Sequence, residues 1–88
     1  MTILIYTKTI CPYCHLTKQY LRERGVAFTE LVFDDHTERQ RMYDELGLIG
    51  NQRTVPQIFA IAADGSRSRI GGYYDLLHSG EVTLDEDF

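Results

Sequence analysis

Cysteine is scarce in this chain. Two in 88 residues are too few to staple a secreted disulfide scaffold. No stretch approaches the ~20 consecutive apolar residues that a transmembrane helix needs. The amino end has no basic region, apolar region and small-residue cleavage site in succession, so no secretory signal is expected and a cytoplasmic setting is. Positive charge is not in excess either: 13 acidic and 9 basic residues give a formal net charge of -4. Residues 79–88 hold Glu81, Asp85, Glu86 and Asp87 and no base, so the rest of the chain balances nine acids against nine bases. A neutral body with an acidic tail speaks against a nucleic-acid binder, which needs a basic face. No repeat, low-complexity segment or internal linker breaks the chain. With 43% hydrophobic and 25% charged residues, the composition is that of one globular unit. Residues 1–88 are therefore expected to form a single domain, with 79–88 as an acidic C-terminal extension.

What is present reads as alternating elements. Residues 2–7 are a β-rich apolar run. From Cys14 the period changes: Leu16, Tyr20 and Leu21 fall on one helical face, while Lys18, Arg22, Glu23 and Arg24 fall largely on the other. Gly25 is a helix stop. Residues 26–33 read as a second strand. A cap follows, either Asp35 with Glu38 or Thr37 with Gln40, and a helix runs to about Glu45 on the stripe Met42, Tyr43, Leu46. Residues 47–53 are a glycine-bounded loop. Residues 54–61 read as a third strand, Asp64-Gly65 as a hairpin turn and residues 67–70 as a polar edge strand. Gly71-Gly72 ends that strand, and residues 73–78 suit a short helix. The order β-α-β-α-β-β-α predicts an α/β fold. Strands one and two are parallel through a right-handed crossover, and strands three and four are antiparallel, in a four-stranded mixed sheet with helices on both faces.

Both cysteines lie in Cys11-Pro12-Tyr13-Cys14, at the junction of the first strand and first helix. A C-x-x-C there reads as a thioredoxin-like redox motif. At a helix N-terminus, free N–H groups and the helix dipole favour an anion, which brings a thiol pKa from about 8.5 into a range of roughly 3.5–7.5. Pro12 suits the first helical position, where no N–H is needed. Lowering the pKa raises the thiolate fraction at pH 7 by at most roughly thirtyfold, and a Brønsted slope of about 0.4–0.5 cancels most of that gain. The larger benefit is to Cys11 as a leaving group, in a reversible exchange resolved by Cys14 or by an external thiol. Three rivals compete. A structural disulfide closing so short a loop contributes only roughly 2 kcal/mol. A zinc site lacks two further ligands at a suitable spacing from His15, His36 or His78. An iron–sulfur cluster shared between chains would need external thiols.

Three elements at matching spacing resemble the glutaredoxin family. They are Cys11-Pro12-Tyr13-Cys14, Thr54-Val55-Pro56 and the Gly71-Gly72-Tyr73-Tyr74-Asp75-Leu76 run after the last strand. Thioredoxins usually carry Trp-Cys-Gly-Pro-Cys, and this chain has no tryptophan. The short chain is most similar to small bacterial or phage members. The resemblance implies a thioredoxin fold and a glutathione site. Lys8 would pair with the glycine carboxylate of glutathione and lower the Cys11 pKa; otherwise it is a solvated loop lysine. Tyr13 would line the groove edge. Thr54 would line the groove, and Val55 would offer its backbone N–H and C=O to the glutathione cysteine. Pro56 would be cis, beside the sulfurs. The backbone N–H groups of Tyr73 and Tyr74, after Gly72, would hold the γ-glutamyl carboxylate. Asp75 would take the ammonium, cap the last helix, or do both. Gln40 falls where a second partner for the glycine carboxylate is often found, with Arg39, Arg41 and Arg53 as rivals. Tyr74 stands where Ser or Asp is common and could change which protein disulfides fit.

The resemblance implies a monomeric glutathione-disulfide oxidoreductase. It would have Cys11 and Cys14 as its catalytic pair, no resident metal or tightly bound cofactor, and glutathione as co-substrate. Substrates would be glutathione mixed disulfides and protein disulfides such as that of a ribonucleotide reductase. Two alternatives remain: a glutaredoxin-like hydrogen donor reduced by thioredoxin reductase, and an iron–sulfur carrier or sensor, which Pro12 disfavours by stiffening the loop.

Overall fold

In the computed structural model, which describes residues 2–79, the central strand β1 (Thr2–Thr7) is buried on both faces. Its two-residue period divides the core. Ile3 and Ile5 point to one side and pack with Leu21, Ile58, Ala60 and Leu76. Leu4 and Tyr6 point to the other and pack with Met42, Tyr43, Leu48 and Phe59. A continuous apolar run is therefore what this position requires, because neither face meets water.

The first helix, α1 (Pro12–Glu23), and the last, α3 (Tyr73–Ser79), supply Leu21 and Leu76 to the first side. Helix α2 (His36–Glu45) supplies Met42 and Tyr43 to the second. The remaining strands are β2 (Phe28–Val32), β3 (Gln57–Ile61) and β4 (Arg67–Gly71), and the sheet order is β2-β1-β3-β4. β1 runs parallel to β2, with Ile3 opposite Phe28, and antiparallel to β3, with Ile5 opposite Ile58. β3 and β4 are antiparallel across the hairpin. The Asp64 carboxylate closes that turn by accepting from the Ser66 N–H at 2.9 Å and the Ser66 hydroxyl at 2.7 Å, which holds its pKa below the usual range. The expected mixed sheet with helices on both faces is what forms. No helix among the described residues is long and apolar enough to cross a membrane.

Several expectations need correction. Leu16 was expected on the core face of α1, but it is exposed; the buried stripe is Cys14, Thr17 and Leu21, spaced three and four residues apart. Lys18 was expected outside, yet it lies half-buried against Glu30 of β2 at 3.0 Å. The third strand starts at Gln57, not at residue 54, because Thr54-Val55-Pro56 leaves the sheet and brings Val55 O to 3.7 Å from Cys11 Sγ. The second is likewise shorter than residues 26–33. The loop at 47–53 contains a 3-10 turn, Gly50–Gln52, and buries Leu48. Of the two possible caps for α2, Asp35 is the one used: its carboxylate accepts from the Glu38 N–H at 2.9 Å. Gly25, φ +67°, ends α1 as expected. Residues 80–88, most of the expected acidic extension, lie outside the described residues, and Ser79 belongs to α3.

Candidate active site

Four segments meet at one edge of the sheet: the loop after β1, the start of α1, the approach to β3 and the start of α3. Cys11 is the N-cap of α1. Its backbone is extended (φ -157°, ψ 101°) and its sulfur accepts from the Cys14 N–H at 3.1 Å. A sulfur in that role receives the free N–H groups and the dipole of the helix. Pro12 sits in the first turn, and the Thr17 hydroxyl ties back to Tyr13 O at 2.7 Å. Cys11 and Cys14 are joined as a disulfide, their Cα atoms 5.2 Å apart. Cys14 is wholly buried and Cys11 retains 5% exposure, so an external thiolate reaches the pair at Cys11. On the far side, Cys11 Sγ lies 3.7 Å from Val55 O.

The loop carrying Lys8 and Cys11 is pinned from β2's end. The Asp34 carboxylate accepts from Thr9 N and Thr9 Oγ1, both at 2.6 Å. These bonds hold its pKa below the usual carboxylate range, with Arg39 and Lys8 nearby assisting. The Val55–Pro56 bond is cis, as the resemblance implied. The segment before it is held by Gln57, which is completely buried. Its amide nitrogen donates to Gln52 O at 3.0 Å and Thr54 O at 2.8 Å, and its oxygen accepts from Arg69 Nε at 3.0 Å.

Two grooves share Tyr13, Thr54 and Val55; Cys11 lines the first, and its sulfur lies against the shared Val55. One, about 450 Å³, extends past Cys11 and Pro12 to Lys8, Arg39, Gln40, Arg53 and His36. It is lined by cations at its far end. The other, about 300 Å³, runs along Pro56 to Gly72, Tyr73, Tyr74 and Asp75. Thus the structure brings together every residue singled out for the site except Cys14, which lies beneath it. Arg41 lines neither groove.

Asp75 is engaged in the helix start. Its Oδ2 accepts from the Gly72 N–H at 2.8 Å. The sharp entry to α3 falls on Gly71, with φ +119°; a Cβ there would collide with the Asp75 carboxylate, whereas one on Gly72 would have room. Tyr13, Tyr73 and Tyr74 form a cluster, with ring centroids 5.3 to 6.0 Å apart. A hydrogen bond with Tyr13 pushes the Tyr74 phenol pKa up.

Sequence reading missed Ile10, 84% exposed on the rim, and the places of His36 and Tyr43 in the larger groove. Burial pushes the Tyr43 phenol pKa up. It also missed Asp34 and Gln57, which hold the two loops. A glutamine inside an otherwise apolar strand was a signal for the latter, since a buried amide must find partners. Among the described residues, no three His, Cys, Asp or Glu side chains gather into a metal-binding group.

A βαβ-led mixed sheet with a paired C-x-x-C capping its first helix defines a thiol oxidoreductase of thioredoxin fold. The comparisons with known proteins narrow this. The glutaredoxin family model matches residues 3–64, and the chain belongs to the glutaredoxin family. It is 44% identical to glutaredoxin 3 of Escherichia coli strain K12 over 73 residues, which cover 82% of this chain and 77% of that one. Among solved structures it resembles glutaredoxin 1 of Francisella tularensis complexed with cacodylate, with a TM-score of 0.76, 33% identity and coverage of 97% and 98% of the two chains. It shares its fold with a buckwheat glutaredoxin in complex with glutathione, at a TM-score of 0.67, 23% identity and coverage of 89% and 66%.

Proposed function

We propose that the chain is a glutathione-dependent oxidoreductase that reduces glutathione mixed disulfides and protein disulfides through Cys11 and Cys14. The observation that carries this reading is the position of Cys11, which lines one groove with its sulfur against Val55, a residue shared with a second, unlike groove. Glutathione has a matching asymmetry: a glycine carboxylate at one end, an amino acid head at the other and a thiol between. Lys8 and Gln40 take the glycine carboxylate. Val55 pairs its backbone with the central cysteine, as an added strand segment does. The Tyr73 and Tyr74 N–H groups face the γ-glutamyl carboxylate, and Asp75 Oδ1 faces the ammonium. The buckwheat relative of the same fold holds glutathione, which agrees with this assignment.

The Cys11 thiolate attacks the glutathione sulfur of a mixed disulfide, a new S–S bond forms, and the substrate thiolate leaves and takes a proton. A second glutathione thiolate then attacks the Cys11-bound glutathione, releasing oxidised glutathione and regenerating Cys11. With a protein disulfide, Cys14 resolves the intermediate instead, giving the Cys11–Cys14 disulfide present here. Two glutathiones reduce that pair. No resident metal or cofactor enters this cycle. A ribonucleotide reductase is a fitting protein substrate, the active form is a monomer, and the cytoplasm is the setting.

The test is turnover of a glutathione mixed disulfide, with glutathione and glutathione reductase supplying electrons and thioredoxin reductase in a parallel arm. Turnover in the glutathione arm is expected. Cys11→Ser should abolish it and Lys8→Ala weaken it about tenfold in kcat/KM, the size of one lost charged hydrogen bond. Cys14→Ser should keep deglutathionylation and lose protein-disulfide reduction. Turnover with thioredoxin reductase alone would sink the glutathione site.

A further inference from the structure

Three arginines and one glutamine compete for the glycine-carboxylate end of the larger groove, and the hydrogen bonds separate them. Each guanidinium nitrogen of Arg53 is engaged. Its Nε donates to Leu48 O at 2.9 Å, Nη1 to Gln40 Oε1 at 3.1 Å, and Nη2 to Asp44 Oδ1 at 2.5 Å. Its charge is matched by Asp44, and its guanidinium stands over the Tyr43 ring at 5.9 Å. Arg39 Nη1 is turned to Phe33 O and Asp34 O, at 2.8 and 3.2 Å. Arg41 lies outside the groove. Gln40 and Lys8 remain: among the described residues, Lys8 has no ion pair within 4 Å and no hydrogen bond is made by Gln40 Nε2.

The Gln40 amide has two unlike ends, and a carboxylate discriminates between them absolutely. Its NH2 group attracts an anion and its carbonyl repels one. An arginine side chain holds only donors, so the Gln40 atom that faces Arg53 must be oxygen. That contact leaves the NH2 group as the end available to the groove.

We propose that Arg53 is a positioning residue that sets the orientation of the Gln40 amide, so that the groove presents N–H and not C=O to the carboxylate of a bound thiol peptide. The inference rests on the glutathione reading above and assigns Arg53 no contact with the ligand. Arg53 acts through Gln40, and Asp44 neutralises it, so that the charge at this end of the groove comes from Lys8 and Arg39.

The test compares KM and kcat for two substrates: the mixed disulfide of 2-mercaptoethanol with glutathione, and the same compound with its glycine carboxyl converted to the amide. Arg53→Met should raise KM for the acid about tenfold, the loss expected for one hydrogen bond to a charged group, with kcat unchanged. It should leave KM for the amide where it was. In a Gln40→Leu background, Arg53→Met should add nothing, since contacts that act as one unit are not additive. Arg53→Lys, which keeps a donor for the amide oxygen, should retain most of the affinity. An equal rise for both substrates, or a full additional loss in Gln40→Leu, would overturn the proposal and reduce Arg53 to a loop latch. If Arg53→Met does not fold, Gln40→Glu serves instead. It keeps an acceptor for Arg53 and removes the N–H, and an unchanged KM for the acid would overturn the proposal. Failure of the wild-type protein to turn over either substrate would defeat the parent reading and be recognisable as such.

Discussion

Gly71 and Gly72 look equivalent in the sequence, where they serve as one strand breaker. Their surroundings make them opposites. Gly71 has φ +119° and its missing Cβ would sit 2.8 Å from Asp75 Cγ. A side chain there costs backbone strain and also displaces the carboxylate that caps the Gly72 N–H. Gly72 has 3.8 Å of clearance to Asp75 Oδ2 and 3.9 Å to Pro56 O. Gly71→Ala should therefore lose about 1–3 kcal/mol of stability, and Gly72→Ala distinctly less, as read from urea denaturation midpoints. Equal losses would mean that the Asp75 cap contributes little. At this scale the sequence was good at naming the residues of the site and poor at saying what each does. Asp75 was legible as a ligand or as a cap, and the structure shows the cap, made through Oδ2, with no hydrogen bond to Oδ1 among the described residues. Gln40 and Arg53 were legible only as rivals, because their relation is a bond between side chains thirteen residues apart.

The elements themselves follow from period. β1 is apolar without interruption because helices cover both its faces, and the capping pair Asp35 and Glu38 starts α2 where spacing said it could. Helix α1 is where periodicity misled. Thr17 and Cys14 are small and semi-polar, so a hydrophobic stripe drawn through Leu16 looked stronger than the true one. Lys18 was drawn outward for its charge, yet its partner is on another element. Glu30 of β2 accepts from Thr7 Oγ1 of β1 at 2.6 Å and from Lys18 Nζ at 3.0 Å, tying three elements together. Burial pushes the Glu30 pKa up, but the bonds from Thr7 and Lys18, with the charges of Lys18 and Arg22, outweigh it and hold the pKa below its ordinary 4.5. The sign follows from linkage. In the window between the lowered folded value and 4.5 the unfolded chain binds more protons, so this contribution is present above 4.5 and is lost as pH falls through the folded value. Glu30→Gln should be about 1–2 kcal/mol less stable at pH 7, and the gap should close on acidification below about pH 4.5. Parallel denaturation curves across that range, with a constant gap, would refute the linkage. The segment from residue 47 to 56 was the least legible element, because it has no period to read. Its shape comes from Gln57 and Arg53 reaching its backbone carbonyls, contacts that composition does not announce.

On the scale of the whole molecule the question is which charge a substrate meets. The formal total of -4 would repel an anionic glutathione adduct, but four of the thirteen acids belong to residues 81–87, and the described body is balanced. Within that neutral body Lys8, Arg39 and Arg53 line a single groove, with His36 beside them. Arg53 is cancelled by Asp44, so the field at the groove's far end comes mainly from Lys8 and Arg39. The Debye length is about 10 Å at 0.1 M salt and about 3 Å at 1 M. A carboxylate within that distance of Lys8 and Arg39 therefore feels their attraction at low salt and loses most of it at high salt. Local attraction should win over the negative total, and kcat/KM for glutathione mixed disulfides should fall about threefold or more between roughly 0.05 and 0.5 M salt. Lys8→Ala should lower the low-salt value and flatten the slope, because it removes one of the two cations that set the groove's field. The glycine-amide substrate should show a shallow slope with the wild-type protein for the same reason, since it lacks the group being attracted. A rate that rises with salt would mean the opposite balance, in which the acids of the tail dominate approach and the groove cations act only after contact.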